Sequence, residues 1–92
     1  MTKIRIEQLI WDEFNTEHIK KHHVTKEVVE EAIQNINTHK EGYSGRIILI
    51  GRVGKRILAI LVAPEENKKY YPVTVRDADK KERKLLYDNE KK

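Results

Sequence analysis

The chain has 92 residues, of which 38% are hydrophobic and 37% charged, and its 19 Lys and Arg against 15 Asp and Glu give a net charge of +4. It contains no cysteine, which excludes disulfides, thiol catalysis and zinc–cysteine sites. No apolar run reaches the roughly 18 residues that a transmembrane helix needs. The sequence therefore predicts one cytoplasmic domain over residues 1–92.

The basic surplus is concentrated in the middle of the chain. Residues 40–76 carry a net charge of +5, whereas residues 1–39 carry −2 and residues 77–92 carry +1. A clustered basic surface favours polyanions such as nucleic acid, because neutralised phosphates release their counterions. An ordinary solvated surface would give the same count, so charge alone leaves both interpretations open.

The N-terminal third predicts a short strand followed by two short helices. Residues 4–11 alternate loosely and favour β structure. Asp12 and Asn15 are both candidate N-caps for the first helix. One face of that helix carries an aromatic ring and two imidazoles at intervals of four residues: Phe14, His18 and His22.

Thr25 is placed to cap a second helix from Lys26 to about Asn35, whose apolar residues form a single stripe. The two helices predict a helical hairpin that packs on a sheet. That sheet begins with two aliphatic runs, residues 46–52 and 57–63, joined by a tight turn at Val53-Gly54.

A third strand over residues 70–76 contains Pro72, which removes a backbone donor and predicts an edge or a bulge. Asp79 then caps a last helix, with Glu82 as its reciprocal partner. The predicted order is β-α-α-β-β-β-α with a small antiparallel sheet, which is an α+β fold.

Two histidines, His18 and His22, have the i, i+4 spacing of a helical metal site. The glutamate of the zinc-protease motif is replaced by Ile19, and the sequence offers no evident third ligand. We therefore predict neither a metal nor another cofactor.

The last strand and the last helix offer a candidate site. Arg76 ends the strand, and Arg83 and Tyr87 lie four residues apart on one helical face. Paired guanidinium groups suit the charge of a phosphoryl transition state, but arginine cannot act as a general base. A proton carrier must come from elsewhere, the candidates being His22, Tyr87 and Lys21. The alternative is structural, with Arg83 paired to Asp79 and Tyr87 contacting the core.

Basic residues also flank the central hairpin, and two tyrosines follow nearby in the next strand. Such a combination can bind single-stranded RNA through phosphate contacts and base stacking. A charged rim that prevents edge-to-edge aggregation is the structural alternative. The basic residues are Arg46, Arg52, Lys55 and Arg56.

The motifs near the two ends of this sequence resemble those of the BrnT-type toxins. The opening Trp11-Asp12, Asn15 and Lys21-His22 is similar to their Trp-Asp, Asn and Lys/Arg-His-Gly-Val turn, with His23 in place of the usual glycine. The close, from Arg76-Asp77-Ala78 through Glu82-Arg83 to Tyr87, is similar to their Arg-x-Ala, Glu-Arg and Tyr signature. The resemblance covers about residues 9–87.

The resemblance implies a RelE-like fold and the toxin half of a bacterial type II toxin–antitoxin pair. Such toxins are metal-independent ribonucleases that block translation and inhibit growth. The implied partners are messenger RNA, free or on the ribosome, and a BrnA-like ribbon-helix-helix antitoxin. Operator DNA would be contacted only through that antitoxin, and no membrane is involved.

In that setting the catalytic residues are expected to be Arg76, Arg83, Tyr87 and His22. The hypothesis is attack of an RNA 2′-hydroxyl on the adjacent phosphate. Residues expected to guide the RNA are Lys21, Arg46, Arg52, Lys55 and Arg56. Two rival interpretations stay open: an inactive module that binds RNA or antitoxin, and a structural interaction domain without nucleic acid.

Overall fold

Five strands form one mixed sheet with helices on both of its faces, so the predicted α+β class is confirmed. The structure, a computed structural model, describes residues 4–90. The strand order is β1-β5-β4-β3-β2. The elements are β1 (Gln8–Leu9), α1 (Glu13–Ile19), α2 (Lys26–Gln34), β2 (Ile36–Glu41), β3 (Ile47–Val53), β4 (Arg56–Pro64), β5 (Lys69–Asp77) and α3 (Lys80–Glu90).

A reciprocal cap starts α1. The Asn15 amide donates to Asp12 Oδ1 at 2.8 Å, and the Asp12 amide donates to Asn15 Oδ1 at 2.9 Å. The helix packs inward through Asn15 and Ile19, which are fully buried. The Phe14 ring points outward: it is 76% exposed and stacks on His18.

A single 3-10 turn, Lys20–His22, joins α1 to the residues before α2 and ends in a left-handed residue. His23 has φ 57° and ψ 42°, the conformation that glycine adopts most easily. Thr25 then caps α2 as predicted, its hydroxyl accepting the Val28 amide at 3.2 Å.

Helix α2 lies directly on β3 because Gly51 has no side chain. A Cβ at Gly51 would stand 2.6 Å from the Ala32 carbonyl oxygen, which is closer than real contacts allow. On the same face, Val29 and Ala32 join the larger core cluster with Leu49, Leu58 and other buried residues of the sheet.

Three details of the predicted sheet are wrong. Strand β2 follows α2 at the edge of the sheet, where no strand was predicted, because its sequence Ile-Asn-Thr-His-Lys-Glu is mostly polar. The sheet is not wholly antiparallel, since β1 pairs with β5 in parallel. The two turn residues of the β3–β4 hairpin are Gly54 and Lys55, because Val53 pairs with Arg56.

The predicted bulge at Pro72 is confirmed. Leu61 pairs with Thr74 and Val62 with Pro72, which leaves Val73 as an extra residue on β5. The Asn15 side-chain amide donates to the Pro72 carbonyl at 3.1 Å, so the bulge also anchors α1.

Helices α1 and α2 cover one face of the sheet, whereas α3 covers part of the other. The second core under α3 is small and contains Ile50, Ile57, Ala59, Ala78 and Leu86. Within residues 4–90, no helix has the length and apolarity needed to cross a membrane.

Candidate nucleic-acid interface

An open depression lies between the β3–β4 hairpin and α3, with a volume of about 430 Å³. It brings together four of the residues that the sequence predicts for RNA binding or catalysis. Its lining residues are Lys55, Arg56, Ile57, Asp77, Arg83 and Tyr87. Three cations against one carboxylate make this depression electropositive.

Arg83 and Tyr87 form the α3 wall of the depression, one helical turn apart. The Arg83 side chain forms no ion pair with another residue of the described range 4–90, and only its backbone amide contacts Asp79. Tyr87 is 44% exposed rather than packed in the core. The structural alternative, in which the Arg83 side chain pairs with Asp79 and Tyr87 contacts the core, is therefore wrong for both side chains.

The outer surface of α3 extends this basic wall. Lys80, Lys81 and Lys84 line a neighbouring shallow surface that also includes Arg83 and Tyr87. All three lysines are exposed, so the potential of this side of the molecule is positive along the helix.

Arg56, at the rim of the depression, is hydrogen-bonded to neighbouring residues and is not a free cation. Its Nε and Nη2 donate to Asp77 Oδ1 at 3.1 and 3.0 Å. Its Nη1 donates to the His23 carbonyl at 3.1 Å, and its Nη2 to the His22 carbonyl at 3.3 Å. These hydrogen bonds therefore hold the turn that carries His22 against the start of β4.

Arg76 forms an ion pair in which the carboxylate is buried and the arginine side chain is 41% exposed. Its Nη1 and Nη2 donate to the two carboxylate oxygens of Glu82 at 2.6 and 2.9 Å. Lys40 Nζ lies 3.1 Å from Glu82 Oε2, and the Asp79 amide donates to Oε1 at 2.9 Å. Glu82 has no exposed surface.

These contacts change the acidity of Glu82. Burial opposes ionisation, but the hydrogen bonds from Arg76, from the Asp79 amide and from Lys40 outweigh it and lower the pKa of Glu82 from 4.5 to about 2. The hydrogen bond to Glu82 raises the pKa of Arg76. Arg76 therefore fastens α3 to the sheet, and it does not line the depression that contains Arg83 and Tyr87.

The remaining predicted RNA contacts do not line this depression. Arg52 binds Glu90 through Nε and Nη2 at 3.1 and 2.9 Å, which raises the pKa of Arg52. Arg46 lies over the Tyr43 ring, 5.3 Å from its centroid. Lys21 lines a groove on the outer surface of α1, beside Phe14 and His18.

Sequence reasoning missed two residues that organise this region. Lys40 was missed because β2 was not predicted. Asp77 was missed because its carboxylate was considered only as part of the net charge. The reciprocal cap of Asp79 and Glu82 was predicted and is confirmed by hydrogen bonds of 2.8 and 2.9 Å. In the described part of the chain, no group of three or more His, Asp and Glu is placed to hold a metal ion.

Comparisons with protein-family models, with curated proteins and with solved structures give no match for this chain. The resemblance to BrnT-type toxins therefore stays a prediction from the residues quoted above.

Proposed function

We propose that this protein binds single-stranded RNA at the depression and cleaves it without a metal, as the ribonuclease toxin of a type II toxin–antitoxin pair. The observation that supports this most directly is the arrangement of Arg83, Tyr87 and Lys55 around one open, electropositive depression. Cations bind the phosphate backbone, and an accessible aromatic ring can stack on a base.

The proposed chemistry is attack of a 2′-hydroxyl on the adjacent phosphate. Arg83 binds the phosphate oxygens and stabilises the charge that develops in the transition state. Tyr87, which lines the depression, or His22 from the neighbouring turn takes the 2′-hydroxyl proton, and the departing 5′-oxygen receives a proton. Lys55 attracts the backbone. The products are a 5′-hydroxyl and a cyclic or 3′-phosphate.

Arg76 has a different part in this scheme from the one expected at first. Because both of its terminal nitrogens bind Glu82, it supports the reaction by holding α3 in place. Arg83 and Tyr87 are both carried by that helix.

The proposed partner is a ribbon-helix-helix antitoxin that neutralises the toxin and contacts operator DNA itself. An antitoxin segment that covers the depression would bring acidic side chains to Lys55 and Arg83. Charge complementarity of this kind favours fast association.

The test is incubation of the purified, partner-free protein with single-stranded RNA in EDTA, beside two arginine variants. We expect Arg83→Ala to abolish cleavage. Arg52→Ala is the matched control and should retain it, because that guanidinium is already bound to Glu90. Cleavage that survives in Arg83→Ala, or that leaves a 5′-phosphate, would show that the proposed reaction is wrong.

A second candidate is an RNA- or antitoxin-binding module without catalysis. It is favoured by the observation that Arg56 and Arg76 are both engaged by carboxylates, which leaves Arg83 as the one guanidinium lining the depression without an ion pair in the described range. RNA binding with no cleavage, even when ribosomes are added, would establish this function instead.

A further inference from the structure

A second recess opens on the face of the sheet that carries α3. It has a volume of about 240 Å³ and is lined by Tyr43, Ile48, Ala59, Leu61, Thr74 and Arg76. Ile48, Leu61 and Thr74 lie side by side on three neighbouring strands. We call this recess the sheet cleft.

The floor of the sheet cleft is apolar and its rim is cationic. Ile48, Ala59 and Leu61 supply aliphatic surface, whereas Thr74 and Arg76 supply a hydroxyl and a guanidinium. No carboxylate is among the lining residues within the described range. An apolar recess with a few convergent polar groups is the usual form of a small-ligand site.

Tyr43 lines one side of the cleft, and Arg46 lies next to Tyr43. Tyr43 is 66% exposed, and the Arg46 guanidinium lies over its ring. The Nε of Arg46 is buried and has no hydrogen-bond partner among the described residues. A buried donor without an acceptor is unfavourable, so a ligand acceptor that reached it would be favoured.

We propose that the sheet cleft binds one nucleotide, with its base on the aliphatic floor beside Tyr43 and its phosphate towards Arg46 and Arg76. A flat ring suits an apolar floor bounded by an aromatic residue. The Arg76 side chain is paired with Glu82 but stays 41% exposed, and this exposed part together with the neighbouring Arg46 favours an anion. A neutral aromatic molecule would use the floor but not the two guanidinium groups.

The sheet cleft and the depression open on the same face of the sheet, where Leu86 of α3 packs with Ile57 and Ala59. Ala59 in the cleft and Ile57 in the depression are two residues apart on β4 and therefore roughly 7 Å apart on the same face. The role of this nucleotide as part of a cleaved RNA rests on the proposed function, whereas binding of the nucleotide does not.

The experiment is an NMR titration of the full chain, labelled at the methyl groups of Ile48, Ala59 and Leu61. The probes are adenosine and uridine 5′-monophosphates, ribose 5-phosphate and inorganic phosphate, all at one ionic strength. We expect at least one nucleotide to shift the cleft methyls in a saturable way, and the two probes without a base to leave them unmoved. Equal shifts from all probes would mean simple anion binding and would overturn the proposal.

Two variants, each lacking one exposed aromatic side chain, test whether the base binds in the sheet cleft. Tyr43→Ala should weaken nucleotide binding about tenfold. Phe14→Ala is the matched control, since Phe14 is exposed on α1 and does not line the cleft. An unchanged affinity in Tyr43→Ala would overturn the assignment of the base to this cleft.

The titration requires no RNA cleavage, so its failure is distinct from failure of the proposed function. Nucleotide binding by a protein that never cuts RNA would refute the ribonuclease proposal alone. Cleavage of RNA with unmoved cleft methyls would refute the cleft proposal alone and would leave the apolar floor to a protein partner.

Discussion

Glu82 is a fully buried carboxylate that receives hydrogen bonds from three parts of the chain. Arg76 comes from β5, Lys40 from β2 and the Asp79 amide from the start of α3. Because the hydrophobic core under α3 is small, this one anion supplies much of what fixes the helix. A buried ion pair is costly to break because one charge is left without its partner.

The substitution Glu82→Gln should lower the free energy of unfolding by about 2 kcal/mol at pH 7, because it weakens the hydrogen bonds to a charged group while Arg76 and Lys40 stay partly hydrated. Urea unfolding measures this change. Glu90→Gln is the control, because its pair with Arg52 is on the surface and such pairs contribute about 1 kcal/mol or less. Equal losses in the two variants would show that the Glu82 contacts stabilise the fold no more than a surface pair does.

The Glu82 carboxyl group also makes the stability of the fold depend on pH. The pKa of Glu82 is lowered from 4.5 to about 2 in the folded chain, so its ionisation stabilises the fold fully above pH 4.5. That contribution is lost as the pH falls from 4.5 towards 2. The gap in stability between the wild type and Glu82→Gln should therefore narrow over this range.

His23 is one of four non-glycine residues in the described range with a positive φ. Its φ of 57° is left-handed, so His23→Gly should raise the free energy of unfolding by about 1 kcal/mol. Lys21→Gly, within the preceding 3-10 turn, should instead lower it. Thermal unfolding distinguishes the two, and a loss of stability in His23→Gly would mean that the imidazole contributes more than the strain costs.

Caps and turns at this scale were largely predictable, because they depend on neighbours in sequence. Asp12, Thr25, Asp79 and Gly54 all act close to where the sequence places them. The ion pair of Arg76 with Glu82 was not predictable, since the direction of the two side chains depends on how α3 crosses the sheet.

At the scale of elements, two side chains connect α1 to β5: the Tyr71 hydroxyl donates to Asp12 Oδ2 at 2.9 Å, and the Asn15 amide makes the buried contact. Asn15 donates to the Ile10 and Pro72 carbonyls at 3.0 and 3.1 Å, and the second of these acceptors lies in the β5 bulge. The bulge and the helix therefore stabilise each other.

The substitution Asn15→Ala should lower the free energy of unfolding by about 2–3 kcal/mol, because it leaves buried carbonyls without a donor. Asn35→Ala is the control, since its side chain makes one exposed contact of 3.3 Å to the Glu31 carbonyl. Denaturant titration measures both variants. A loss below about 0.5 kcal/mol in Asn15→Ala would show that water replaces the amide.

The strands β3, β4 and β5 could be predicted because their hydrophobic runs are long. Strand β2 could not, since its pattern is polar and its only buried residue with a described side chain is Thr38, which pairs with Ile50. The parallel pairing of β1 was equally hidden, because two residues carry no signal of direction.

At the scale of the whole molecule, acidic and basic residues lie on opposite faces of the sheet, and this separation differs from the distribution of charge along the sequence. The exposed residues of α2 include Glu27, Glu30 and Glu31, on the face of the sheet opposite to the basic α3. The sequence predicted the basic surplus in residues 40–76, but several of those cations are engaged in contacts. Much of the free positive charge instead comes from α3.

RNA affinity should therefore fall steeply with salt. With three or four phosphates neutralised, a plot of log K against log salt concentration should have a slope of about −2 to −3 for a single strand. Arg83→Ala should reduce the steepness by about 0.7, and Arg52→Ala should leave it almost unchanged. Fluorescence anisotropy of a labelled oligonucleotide measures the slope, and a flat plot would exclude phosphate binding as the basis of affinity.

The long-range ties of α1 also determine when the molecule can become active during its synthesis. Asn15 and Pro72 are 57 residues apart, and the depression needs residues from Lys55 to Tyr87. A nascent chain therefore carries an unanchored α1 and no complete depression until Tyr87 has left the ribosome. Contacts this distant in sequence form slowly, so the proposed cutting site is among the last features of the molecule to assemble.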